Sequence, residues 1–254
     1  MCGIVGYIGH RPCIQIVFDG LKKMEYRGYD SAGIAVLHKG EIALSKEAGK
    51  IDNLKPSIAK LPQDSKVGIG HTRWATHGLP NRENAHPHEA EHLALIHNGI
   101  IENYKELKQE LLNAGIRFRS ETDTEVIAHL VSQELKRTPK PIEALQNVIK
   151  RLEGAYSVAF IVDSIPDQIF VAKQGSPLVI GLGDGEIFFV SDITAFVNFT
   201  QKAVFLHVIV KRFVAHTDRQ ARGGEDVGAR DCGCEDLDPG FREGTVRRGT
   251  CVPG

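Results

Sequence analysis

The sequence predicts an α+β fold, and three observations carry the prediction. Apolar runs at 4–9, 67–70 and 93–96 are too short for helices and read as buried strands. Stretches with apolar residues at helical spacing lie near 12–24, 103–115, 122–131 and 141–152. From Gly154 onward the rhythm is strands.

Composition bounds the rest. The 254 residues, 42% hydrophobic and 25% charged, suit one large or two small soluble domains with a sizeable core. A net charge of −1 and no basic stripe interleaved with aromatics argue against a nucleic-acid partner. No run of about 18 apolar residues suggests a membrane span, and the N-terminus lacks the basic-then-apolar pattern of a secretory signal. Five scattered cysteines do not make a disulfide framework, so a reducing cytoplasm is expected.

The chain starts Met1-Cys2-Gly3. A small second residue normally lets the initiator methionine be trimmed. Cys2 would then carry a thiol and a free α-amine on one carbon. The thiolate is the nucleophile, and an α-amine of pKa roughly 7.7–8.0 can take its proton directly or through one water. The strand 4–9 that follows, apolar on both faces, holds this end inside the fold. Pro12 starts an amphipathic helix with Ile14, Val17, Phe18, Leu21 and Met24 on its buried stripe.

Arg27-Gly28-Tyr29-Asp30-Ser31-Ala32-Gly33 reads first as a tight polar loop leading into the strand Ile34–Leu37. Lys39-Gly40 turns the chain into a hairpin partner at 41–45, and 50–66 reads as a short helix and a surface connection. The buried strand 67–70 then runs straight into His71-Thr72-Arg73-Trp74-Ala75-Thr76-His77-Gly78. Six of the eleven histidines fall between His71 and His97, which marks a metal site or a catalytic cleft. His86-Pro87-His88 with His92 lacks the helical spacing of a zinc motif, and Pro87 forbids a regular helix there. No metal is expected.

The strand 93–96 ends at His97-Asn98-Gly99, where a hairpin turn is the ordinary reading. Yet an Asn amide beside a glycine N–H also offers the paired donors that an oxyanion needs. Asn103 is expected to cap the next helix, which Gly115 stops. Thr122-Asp123-Thr124-Glu125 has capping-box spacing ahead of Val126, Ile127, Leu130 and Val131, and Asp123 could also face a cationic ligand. Pro139 and Pro141 precede a helix with Ile142, Leu145, Ile149 and Leu152. Strands are expected at 155–162, 168–172, 178–180, 186–190 and 203–206. Gly181-Leu182-Gly183-Asp184-Gly185 reads as a hairpin turn rather than a phosphate loop, because no helix pattern follows it. After the patch 208–214 the chain is rich in Gly, Arg and Asp without periodicity, and residues from about 216 are expected to be disordered. Cys232-Gly233-Cys234 with Cys251 is a weak zinc signal.

Taken together, Cys2–Gly6, Arg27–Gly33, His71–Gly78, Asn84–His88, His97–Tyr104 and Ser120–Val126 resemble, in order, a known family. It is the glutaminase, or type 2 glutamine amidotransferase, half of the glucosamine-6-phosphate synthases (glutamine–fructose-6-phosphate aminotransferases). Gly175-Ser176-Pro177-Leu178 and Ser191-Asp192 also sit where that family has them. The likeness covers residues 2–206. It implies an N-terminal-nucleophile hydrolase fold, a four-layer αββα sandwich with two antiparallel sheets. It also implies glutamine as substrate, with Cys2 as nucleophile, Asn98 and Gly99 at the oxyanion, and Arg73 and Asp123 on the substrate's carboxylate and ammonium. Thr76 and His77 would frame the pocket, Trp74 would gate ammonia, Arg27 would organise the loop beside Cys2, and His86 would act from behind. No cofactor is implied.

Relatives sharing the nucleophile, such as glutamine phosphoribosylpyrophosphate amidotransferase, are the alternative family reading. A non-catalytic glutamine-binding fragment is the alternative of another class. The sugar-phosphate isomerase half is not in this sequence, so glutamine hydrolysis is the most this chain is expected to perform; homo-oligomers are expected only of the full-length context. Residues 207–254 depart from the family, as a shifted reading frame near His207 would produce. Without the family's last strand, a sheet edge is expected to lose its cover.

Overall fold

A computed structural model describes residues 2–75, 78–205, 209–214, 242–247 and 250–253, the last three segments as backbone. The chain runs β1 (Gly3–Ile8), α1 (Cys13–Lys23), β2 (Ser31–His38), β3 (Glu41–Ala48), α2 (Lys55–Ile58), β4 (Val67–Arg73), β5 (His88–Ala90) and β6 (Leu93–Ile101). It continues through α3 (Tyr104–Asn113), α4 (Asp123–Arg137), α5 (Pro141–Ile149), β7 (Gly154–Val162), β8 (Ile165–Gln174), β9 (Val179–Gly183), β10 (Glu186–Val190) and β11 (Lys202–Phe205). Three further strands are β12 (Ile209–Val214), β13 (Arg242–Arg247) and β14 (Thr250–Pro253).

Two antiparallel sheets result. One has the order β14-β13-β11-β9-β10-β1-β4-β2-β3, the other β12-β8-β7-β6-β5. Alternation along β1 explains why its sequence is apolar throughout. Ile4 and Ile8 enter the layer between the sheets, against Ile96, Ala159, Ile161 and Val171. Val5 and Tyr7 point the other way, under Ile14, Val17 and Leu21 of α1. The outer face of the second sheet, with Leu95, Val158 and Phe160, is covered by Leu107, Val126, Ile127, Leu130 and Leu145 of the other helices. Helix, sheet, sheet, helix is the expected four-layer α+β sandwich. Among the described residues no helix is long and apolar enough to cross a membrane.

Three details differ from expectation. Asn103 stands at the start of α3, but its side chain donates to Arg151 O (2.8 Å) and accepts from Glu153 N–H (3.2 Å), tying the helix to the strand start instead of capping it. The strand through Asn98-Gly99 does not turn; β6 continues to Ile101, paired with β7 throughout. And two segments of the stretch expected to be disordered are strands: β13 pairs with β11 and β14 with β13. The patch at 209–214 likewise lies along β8, so the expected uncovered edge is occupied. Edge backbone groups pair with any extended segment within reach, a recruitment that periodicity does not reveal. The remainder of the stretch, with Cys232 and Cys234, lies outside the described residues.

Candidate active site

The site lies where the first sheet's central strands meet the second sheet. In the β1–β4 register Gly3 stands opposite Thr72, which brings Cys2 beside Arg73 and Trp74. The Trp74 amide N–H donates to Cys2 Sγ at 3.2 Å, and the thiol lies 3.6 Å from Trp74 O. Burial pushes the Cys2 thiol above its ordinary value, and the Trp74 amide works against that rise. A thiol in this setting needs a base close by to become a nucleophile.

From the other sheet, Asn98 on β6 donates through Nδ2 to the Cys2 carbonyl at 3.1 Å. Its Oδ1 accepts from His71 Nε2 at 2.9 Å, and the same nitrogen donates to His97 O at 3.0 Å. One bond thus joins the first residues of the chain to a strand nearly a hundred positions later. Next to Asn98, Gly99 has φ +133°, and a Cβ there would stand 2.0 Å from Ala155 O. Only glycine fits this backbone.

Arg73 is buried, and its two terminal nitrogens reach Leu79 O (3.1 Å) and Gly78 O (3.3 Å). Thr76 and His77 lie outside the described residues. Asp123, in the first turn of α4, is buried and accepts from Ile101 N–H at 2.9 Å, which ties the helix start to β6 two residues past Gly99. The expected place of Asp123 at the helix terminus is what the structure shows.

The loop around Arg27 is anchored rather than free. Arg27 pairs with Asp192 at 2.5 Å, Tyr26 adds a hydroxyl at 2.9 Å, and Asp192 accepts from Thr194 N–H at 3.0 Å. The neighbouring Ser191 Oγ accepts from Ile4 N–H at 3.0 Å. Gly28 lets this loop press on the Arg73–Trp74 backbone, since a Cβ would stand 2.6 Å from the Arg73 carbonyl carbon. Asp30 accepts from the Ala75 amide. Trp74 is 47% exposed, edge-on to Tyr29 with ring centroids 5.6 Å apart.

His86 is buried behind His71, stacked on it at 4.0 Å, with Nε2 on Thr124 Oγ1 at 2.7 Å. Burial first, then the neighbouring His71 and His88, holds its pKa well below the ordinary histidine value. The histidine concentration that the sequence displayed is therefore in large part a packed layer beneath Asn98. Three residues that the sequence reading named without a role contribute here: His71 beside Asn98, and Ser191 with Asp192 as the clamp on β1 and Arg27. His71 had a signal. It sits two residues before Arg73 on one strand, hence on the same face, and is polar at the end of an apolar run.

Beside this layer Thr122 caps α4, accepting from Glu125 N–H at 3.4 Å. The return half of the capping box goes elsewhere: Glu125 accepts from Arg119 N–H (2.8 Å), Ser120 N–H (2.6 Å) and Ser120 Oγ (2.6 Å). Burial acts to raise its pKa, but these bonds and His129 at 3.5 Å outweigh it and hold the carboxyl down to about 2. A depressed folded-state pKa stabilises above the unfolded value near 4.5 and is lost as pH falls toward 2. Glu125→Gln is accordingly expected to cost about 1–2 kcal/mol at pH 7, discounted for partial solvent screening, and to flatten the pH dependence of stability between about 5 and 2. Urea midpoints at several pH values check this, and an unchanged pH dependence would contradict it.

Comparison with known proteins agrees with the geometry. Residues 71–198 match the family model described as a glutamine amidotransferase domain. The chain is 50% identical over 206 residues to the glutamine–fructose-6-phosphate aminotransferase (isomerizing) of Mesorhizobium japonicum, covering 81% of this chain and 34% of that protein. It is 50% identical over 208 residues to the one from Pyrococcus horikoshii, covering 81% and 35%. The chain thus spans about one third of the length of these relatives. Among solved structures, the glutamine phosphoribosylpyrophosphate amidotransferase from B. subtilis, complexed with ADP and GMP, superposes with a TM-score of 0.68 at 28% identity. That match covers 85% of this chain and 50% of the other. A glutamine aminotransferase class-II domain protein from Silicibacter pomeroyi, at 18% identity and a TM-score of 0.53, covers 84% and 95% and shares the fold. With a model match over half its length and the sandwich the match implies, this chain belongs to the glutamine amidotransferase domain family.

Proposed function

We propose that the chain hydrolyses the side-chain amide of glutamine to glutamate and ammonia, with Cys2 as the N-terminal nucleophile once Met1 is removed. The observation that carries this reading is the 3.1 Å bond from Asn98 Nδ2 to the Cys2 carbonyl, which sets an amide donor beside the thiol. The Cys2 sulfur attacks the amide carbon, and its proton passes by way of the residue's own α-amine to the departing nitrogen. The C–N bond breaks and ammonia leaves. Water then cleaves the thioester, releasing glutamate and restoring the thiol. Asn98 and the Gly99 amide hold the oxyanion of each tetrahedral intermediate, each donor contributing about 10²–10³ in rate.

Arg73 is assigned to the substrate α-carboxylate and Asp123 to its α-ammonium, with Thr76 and His77 framing the pocket and Trp74 gating the exit of ammonia. In the longer relatives' context the ammonia would serve amino transfer to fructose 6-phosphate, a step that needs the sugar-phosphate isomerase half and its assembly. This chain alone is not assigned that step. The domain is read as residues 2–206, with 207–254 as a stretch outside the family. The free thiols of Cys2 and Cys13 fit a reducing, cytoplasmic setting.

Steady-state ammonia release from glutamine, together with intact mass and N-terminal sequencing, tests the reading; a processed chain that releases none overturns it. A guanidinium engages a carboxylate through two parallel bonds, which an ammonium cannot do. Arg73→Lys is therefore expected to raise KM for glutamine about 10- to 100-fold with a smaller change in kcat. An unaltered KM would remove Arg73 from the carboxylate site.

A further inference from the structure

Resting on the glutaminase reading above, we propose that His71 is the positioning residue that fixes which end of the Asn98 amide faces Cys2. The two ends of an asparagine amide are nearly equal in shape, and a half-turn about its last bond exchanges donor for acceptor. Something must forbid that exchange if Asn98 is to present N–H to an oxyanion.

The geometry around His71 Nε2 does so. That nitrogen lies 3.0 Å from His97 O, and a backbone carbonyl can only accept. Nε2 must therefore carry the hydrogen. The Asn98 atom 2.9 Å from the same nitrogen must then be an acceptor, which is Oδ1. With the amide flipped, N–H would meet N–H at His71 and oxygen would meet oxygen at Cys2. Both contacts would be repulsive and buried. The assignment thus follows from a carbonyl whose chemistry is unambiguous.

Two features keep the ring in this state. His86 stacks on its face at 4.0 Å, which fixes the ring plane. Burial above all, with His97 and Arg73 adding to it against the Asn98 bond, lowers the His71 pKa to about 3. The ring is neutral throughout the range in which a thiol and an amine exchange protons. Its other nitrogen, Nδ1, is buried without a partner among the described residues. An apolar side chain would not carry that cost, but it would leave His97 O and Asn98 Oδ1 without the Nε2 donor.

The test pairs two substitutions of similar polarity and different reach. His71→Gln can place an amide N–H near the position of Nε2, whereas His71→Asn is too short. In the processed full chain, His71→Asn is expected to lower kcat for glutamine hydrolysis about 10²-fold, close to Asn98→Ala, with KM changed less than about threefold. His71→Gln is expected to keep kcat within about tenfold of the unmodified chain. Adding His71→Asn to Asn98→Ala should cost little more than Asn98→Ala alone.

Equal kcat for the Gln and Asn variants, or additive losses in the double variant, overturns the proposal while leaving the glutaminase reading intact. An unmodified chain that releases no ammonia overturns both. Should the variants not fold, histidine ¹⁵N spectra of the unmodified protein decide. A neutral ring with Nε2–H down to pH 5 supports the proposal, and a proton on Nδ1 overturns it.

Discussion

Replacing Cys2 with alanine is expected to reduce glutamine-dependent ammonia release to background, a loss on the order of 10⁴-fold or more. The proposed nucleophile has no understudy within the described structure: the other described thiol, Cys13, is buried at the start of α1 with its pKa pushed up to about 12 by that burial. The fold should not notice the change. The described bonds of Cys2 Sγ run only to the Trp74 backbone, and the Asn98 bond goes to the Cys2 carbonyl, which alanine keeps. Circular dichroism and the melting midpoint are therefore expected to match the parent while turnover vanishes.

A companion measurement separates the two roles given to this residue. A chain that keeps Met1 has the thiol but not the free amine. It should still be alkylated by iodoacetamide and yet turn over glutamine at least about 10²-fold more slowly, the usual contribution of a positioned proton acceptor. Equal turnover by the two forms would remove the α-amine from the mechanism. It would leave the thiol's role untouched.

Gly99→Ala is expected to be as damaging by another route, unfolding as well as inactivating. With φ at +133° the position lies outside the regions open to L side chains, and the added methyl would stand 2.0 Å from Ala155 O on the neighbouring strand. Neither β6 nor β7 can yield cheaply. Their pairing is continuous from Leu93 to Ile101, and both carry inner-layer residues on one face and helix-contacting residues on the other. Strain and lost packing together are expected to cost at least about 3 kcal/mol, which lowers the melting midpoint by about 6 °C or more in a domain of this size. Any folded remainder should be inactive, because relieving the clash displaces the Gly99 amide that is proposed to hold the oxyanion. A stable, active Gly99→Ala chain would show that this backbone does not line the site.

The role proposed for Cys2 is legible in the sequence because it depends on chain position alone. The layers are legible because alternation and helical spacing are local: β1 with Ile4 and Ile8 on one face and Val5 and Tyr7 on the other, or the stripe of α1. Arg73 and Asp123 could be assigned only from a resemblance, because nothing in their spacing ties them to one substrate.

What the sequence by itself determined, then, is the α+β class and a set of candidate residues with Cys2 as the proposed nucleophile, because these follow from local pattern and covalent order. Only the tertiary structure decided that Asn98-Gly99 is strand rather than turn, and that His71 lies against the Asn98 amide. It also decided that Ser191 and Asp192 clamp β1 and the Arg27 loop, and that late segments pair along β8 and β11. Each of those is a hydrogen bond or backbone pairing between residues far apart along the chain. Such partners are selected by how the two sheets stack, which is a property of the whole packed chain and of no window within it.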